Sequence, residues 1–215
     1  MRSKSSFKRC AAMAGLAATM IFGGCAMLAP TVDTYEPPPL GSSWTVSQRN
    51  TGSYGKDVQY QVTRGEGTWQ GKKVIAFKSS RGATIMAAPD SGGWLAIVGA
   101  DGKPVLSWEP AIGWQYPLYV GRTWTTSHRQ TMHAANRTLS LDSTCKVEGY
   151  GDVSVAAGTF KAFEIACSNT VGSNDRYWYS AEMGIFVKTN LTRDAKSPAG
   201  PGTQQFELVS QNIRK

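Results

Sequence analysis

The sequence predicts an all-β fold, a single antiparallel meander that either stays a strongly curved open sheet or closes into a barrel. Apolar residues recur with a period of two, and turn-forming residues separate the runs at short intervals. No window of ten or more residues beyond the first 24 carries an apolar stripe at helical spacing. Ten to twelve short strands with tight connections follow from that rhythm.

In chain order, Val58, Tyr60 and Val62 alternate with Asp57, Gln59 and Gln61, which marks a strand with one buried face. Residues 94–98 and 105–108 are short apolar runs parted by Asp101-Gly102 ahead of Pro104, a turn signal. Residues 124–132 continue the series. Leu139, Leu141, Cys145 and Val147 then alternate with Thr138, Ser140, Asp142, Thr144 and Lys146. In "VSVAAGTFKAFEIAC", Val155 ends one strand and Phe160 and Phe163 lead the next back into the core. Gly158 between them can take the positive φ of a tight reversal. Gly184 can play the same part between residues 176–180 and 185–191, and the loop DAKSPAGPGT precedes a last strand over 204–213. No repeat of fixed period points to a propeller.

The N-terminus sets the compartment. Arg2, Lys4, Lys8 and Arg9 precede an apolar run over 11–24. As a helix that run would reach about 21 Å, short of the roughly 30 Å of a bilayer core, so it reads as a removable secretory signal. At "IFGGC" the chain resembles the lipobox of bacterial lipoproteins. Gly23, Gly24 and Cys25 match the pattern, while Phe22 stands where an aliphatic residue is usual. The resemblance implies cleavage before Cys25 and diacylation of its sulfur. With Ala26 rather than Asp next, it also implies delivery to the outer membrane of a Gram-negative bacterium, on the periplasmic side. The expected organisation is a signal peptide over 1–24, a lipidated cysteine with a Pro-rich extended tether over 25–40, and an all-β domain over 41–215.

Cys10 leaves with the signal and Cys25 is taken by lipid, which leaves Cys145 and Cys167 in an oxidising compartment, where they are expected to pair. Each shares its alternation with apolar neighbours, so folding about the Gly158 turn brings both to one buried side. The stretches "YPLYVGRTW", "VSVAAGTFKAFEIAC" and "RYWYSAEMGIFVK" resemble the β-rich domain of uncharacterised Gram-negative envelope proteins. That resemblance covers roughly residues 114–188 and implies a fold and an address without an activity.

Charge and motifs narrow the function. The full chain carries +8, but four of its 23 cations and none of its 15 acids precede Cys25, so the mature chain is +4. No cluster is denser than Lys72-Lys73 or Arg214-Lys215, which argues against a nucleic-acid partner. Asp90-Ser91-Gly92-Gly93 imitates the nucleophile segment of chymotrypsin-like proteases, yet Pro89 precedes it and neither histidine has the matching context, so it reads as a turn. His128 and His133 are five apart and fall on opposite faces of a strand, and no metal-ligand spacing is present. Catalytic, metal and cofactor-binding residues are therefore expected to be none.

Glu109, Glu164 and Glu182 are the acids set among aromatic or apolar neighbours, the material for a carbohydrate-active hydrolase. Glu164 alternates with Phe163 and Ile165 and so faces water. Seven tryptophans and eight tyrosines can line a cleft as well as fill a core. Gly67-Thr68-Trp69 matches the short lipocalin G-x-W. The expectation is a non-catalytic binding or envelope-maintenance module. It is held at the membrane by its lipid and partnered by an apolar ligand or an envelope protein. A lipid or lipoprotein carrier and a carbohydrate-active hydrolase are the alternatives.

Overall fold

The computed structural model describes residues 29–213. The signal peptide and the anchor residue Cys25 lie outside the described residues.

Twelve strands follow one another around the molecule: β1 (Ser43–Asn50), β2 (Val58–Trp69), β3 (Lys72–Ser79), β4 (Thr84–Ala87), β5 (Trp94–Val98), β6 (Pro104–Ile112), β7 (Thr123–Met132), β8 (Arg137–Val155), β9 (Gly158–Asn169), β10 (Ser173–Ser180), β11 (Ile185–Arg193) and β12 (Gly202–Asn212). Each pairs antiparallel with the next. The last returns to the first, from Ser43 opposite Asn212 to Asn50 opposite Gln204. The sheet is therefore a closed barrel, in which no strand edge is left to pair with another chain.

Alternation sorts the side chains as the pleat requires. On β7, Trp124, Thr126, His128, Gln130 and Met132 face the interior, while Thr123, Thr125, Ser127 and Arg129 face out. The outer wall is a lattice of cross-strand polar pairs. Thr125 meets Thr144 at 3.0 Å, Lys161 meets Asp152 at 2.9 Å and Lys188 meets Glu207 at 3.1 Å. A barrel that spans lipid turns an apolar band outward. This one turns the polar residues of β7 and these cross-strand pairs outward.

One end of the barrel is packed shut. There the aliphatic and aromatic side chains form two clusters, one around Trp44, Val46, Ile185, Val187 and Leu208, the other around Leu118, Trp124, Val147, Phe163 and Ile165. The β8–β9 hairpin adds Val153, Val155 and Phe160 to the first cluster, and its tip is fastened by the Ala157 N–H donating to the Leu208 carbonyl. Gly158 has φ +128°, the conformation that its place after the two-residue turn demands.

The segment expected to be a free tether is in part a strap across this closed end. Val32 exchanges two backbone hydrogen bonds with Leu118, at 2.9 and 2.7 Å. The Tyr35 ring covers Gly92, and Pro38 is fully buried. Gly184, at φ +69°, lies so close beneath the strap that a Cβ would stand 2.3 Å from the Glu36 carbonyl oxygen. Proline removes a hydrogen-bond donor but not a packing surface, and Pro38 uses its ring for contact where the sequence pointed only to its missing N–H.

Cys145 on β8 and Cys167 on β9 stand directly opposite one another and are joined by a disulfide, with Cα atoms 4.1 Å apart.

Candidate functional site

The opposite half of the barrel is not filled by side chains. It encloses a cavity of about 930 Å³ that opens between the β1–β2, β3–β4, β7–β8, β9–β10 and β11–β12 loops. That volume lies within the range of about 300–1,000 Å³ typical of small-molecule sites.

The floor of the cavity is aromatic. Trp114, on the β6–β7 connection, reaches inward and places its ring 5.0 Å from Tyr177, 5.7 Å from Phe186, 6.2 Å from Trp124 and 6.4 Å from Tyr179. The edge-on geometries among these rings suit their quadrupoles. Beneath them the Tyr116 hydroxyl donates to the Tyr179 hydroxyl at 3.2 Å. Burial pushes the Tyr116 phenol up to about 12, so this seal stays uncharged in the physiological range.

The walls above the floor are largely apolar. Four of the seven tryptophans, Trp94, Trp108, Trp114 and Trp124, border the space together with Val62, Phe77, Ile85, Leu106, Met132 and Leu141. Polar groups among them are mostly occupied by the wall itself. Gln48 Nε2 donates to the Tyr60 hydroxyl, Trp108 Nε1 donates to Gln130 Oε1, and His128 Nδ1 donates to the Pro110 carbonyl, at 2.8, 3.0 and 3.0 Å. The wall is thus hydrophobic in surface and for the most part satisfied in hydrogen bonding, which suits an apolar guest.

Nearer the mouth the lining changes. Asp175, on β10, is in phase with the inward Tyr177 and Tyr179, and its carboxylate accepts from the Ser173 hydroxyl, the Tyr177 hydroxyl and the Thr192 N–H. Burial raises its pKa, with those hydrogen bonds and the nearby Arg193 opposing the shift. A carboxyl raised in the folded state gives stability as pH falls through its folded value toward the ordinary aspartate value near 4 and loses it as pH rises. Asp175→Asn lacks this contribution. Thermal melts of the two proteins should therefore show the wild type gaining on the variant as the pH is lowered from neutrality to about 4. A constant difference would show that Asp175 is ordinary.

The residues singled out from sequence are dispersed. Asp90, Ser91, Gly92 and Gly93 form the β4–β5 turn at the closed end, where the Ser91 hydroxyl faces Asp90 at 3.3 Å and Tyr35 lies on Gly92. His128 is buried in the barrel wall, whereas His133 lies beyond β7 against the Ser107 hydroxyl. Glu109 and Glu164 are on the outer wall, paired with Arg129 and Arg176. Glu182 is on the β10–β11 connection at the closed end. Gly67-Thr68-Trp69 also ends at the closed end, with Gly67 packed against Ala76 and Met86. Asp175 and Arg193 were missed, although both are charged residues in phase with inward-facing neighbours on their strands.

No family model and no curated protein matches the chain. Solved structures do. A proposed lipoprotein of Parabacteroides distasonis aligns over 84% of this chain and 99% of its own at 11% identity, with a TM-score of 0.46. The hypothetical lipoprotein YmcC of Escherichia coli aligns over 80% and 85% at 15% identity, with a TM-score of 0.44. A proposed exported protein of Bacteroides fragilis, described as having a YmcC-like fold, aligns over 84% and 99% at 11% identity, with a TM-score of 0.44.

Proposed function

We propose that the chain is a non-catalytic binding module of the cell envelope, anchored through a lipidated Cys25 to the periplasmic face of the outer membrane, whose barrel holds an apolar ligand. The observation that carries this reading is the cavity of about 930 Å³, closed by an aromatic floor, walled by four tryptophans and open to solvent at one end. A barrel whose only task was to be a rigid wall would gain stability by filling that space, because each buried methylene contributes about 0.8 kcal/mol. The non-catalytic part of the reading is supported by the placement of Glu109 and Glu164, which are on the outer wall in ion pairs rather than in the cavity.

Native mass spectrometry of the protein extracted gently from membranes tests both halves at once. The expected spectrum shows a covalent increment on Cys25 that survives denaturation and a lipid-sized mass that does not. A bare mature chain that also fails to take up added long-chain alcohol would overturn the reading.

A further inference from the structure

The cavity is apolar in its depth and cationic at its mouth, where two arginines border the space. Arg193, the last residue of β11, lies over the Tyr54 ring with its guanidinium carbon 3.9 Å from the centroid. The one hydrogen bond of its side chain among the described residues is a long contact of 3.5 Å to the Ser53 hydroxyl. Arg81, in the β3–β4 turn, borders the same space near Tyr60. Among the described residues no carboxylate comes within ion-pair distance of either, whereas Arg129 and Arg176 outside are each paired.

Asp175 attracts Arg193 through space, but no nearby acid among the described residues forms an ion pair with it. Asp57 accepts from the Asn50 N–H at 2.7 Å, and Asp175 is occupied by the donors of Ser173, Tyr177 and Thr192. A guanidinium has five N–H donors in a planar fork that matches a carboxylate or a phosphate. Stacked on Tyr54, that of Arg193 is ordered before any ligand arrives, which lowers the entropy cost of binding. Lys56 lines the mouth as well and adds to the positive field.

We propose that the cavity takes an amphiphile with an anionic headgroup, its tail among Trp94, Trp108, Trp114 and Trp124 and its carboxylate or phosphate against Arg193, with Arg81 farther round the mouth strengthening the attraction. The proposal rests on the binding reading above and names the chemistry of the ligand.

The four cavity tryptophans make the test direct. Residues 25–215 with Cys25→Ser, which contain every described element, would be secreted to the periplasm and titrated with a dibrominated stearic acid, whose bromines quench tryptophan emission on contact. Dodecanoate, dodecyl phosphate, dodecanol and dodecyltrimethylammonium then compete for the site. The anions are expected to displace the probe about tenfold better than dodecanol, the size of one charge-assisted hydrogen bond. Arg193→Gln should remove most of that preference, and Arg81→Gln should weaken it to a lesser degree. Whichever anion competes better identifies the headgroup. Equal competition by the alcohol and the cation, or an unaltered preference in Arg193→Gln, overturns the headgroup assignment and leaves the cavity reading standing. Absence of quenching by the brominated chain overturns both.

Discussion

Replacing Trp114 by Ala is expected to lower the stability of the barrel by about 3–5 kcal/mol, the cost of truncating a large aromatic that many side chains contact. Against a total of about 5–15 kcal/mol for an ordinary domain, that is a large fraction. The ring is the hub of the floor, touching Trp124, Tyr177, Tyr179 and Phe186, and none of these can move to cover its place without leaving its own partners. Trp114→Phe keeps an edge-on ring and should recover about half of the loss. Urea titrations followed by far-UV dichroism measure both. A loss below about 1 kcal/mol for the Ala variant would mean that the floor is sealed by something other than Trp114.

Removing the disulfide is expected to be nearly as costly. The two cysteines are 22 residues apart, and in the chain-entropy model a loop of that length contributes about 3 kcal/mol by restricting the unfolded chain. The β8–β9 register holds Cys145 opposite Cys167 with or without the bond, so the double replacement by Ser should fold to the same barrel and unfold at lower denaturant. Non-reducing peptide mapping of the wild type should recover the two cysteines in one cross-linked fragment. Free alkylatable thiols in the mature protein, or an unchanged denaturation midpoint in the double variant, would contradict this account.

Local pattern revealed most of the wall and little of what the wall encloses. A short apolar run located β5 to the residue, and period-two alternation located the bulk of β7, β10, β11 and β12. It overlooked β3, where Val74, Ile75 and Ala76 are consecutive and all buried, so no alternation is visible. It overlooked β4 because four residues are too few to show a period. Closure depends on β1 meeting β12 across the length of the domain, a contact that no local pattern encodes. The cavity was hidden for a related reason. Tryptophans that fill a core and tryptophans that line a space read alike, and the difference lies in how far apart the strands hold them. The mouth was more legible than the interior. Asp175 and Arg193 each interrupt an inward-facing series, and a charge in that phase marks either a paired group or a binding site.

The strap at the closed end bears on the orientation that the proposed anchor would impose. Val32 is pinned to Leu118, and only six residues lie between it and Cys25, a span of at most about 25 Å including both ends. If Cys25 carries lipid as proposed, the anchor meets the barrel at its sealed base, and the aperture lies at the end away from it. Under that proposal a guest would enter from the side facing away from the anchoring leaflet rather than sideways from the surrounding lipid. The proline-containing segment that the sequence offered as an extended tether would then act as a keel, deciding which way the vessel faces.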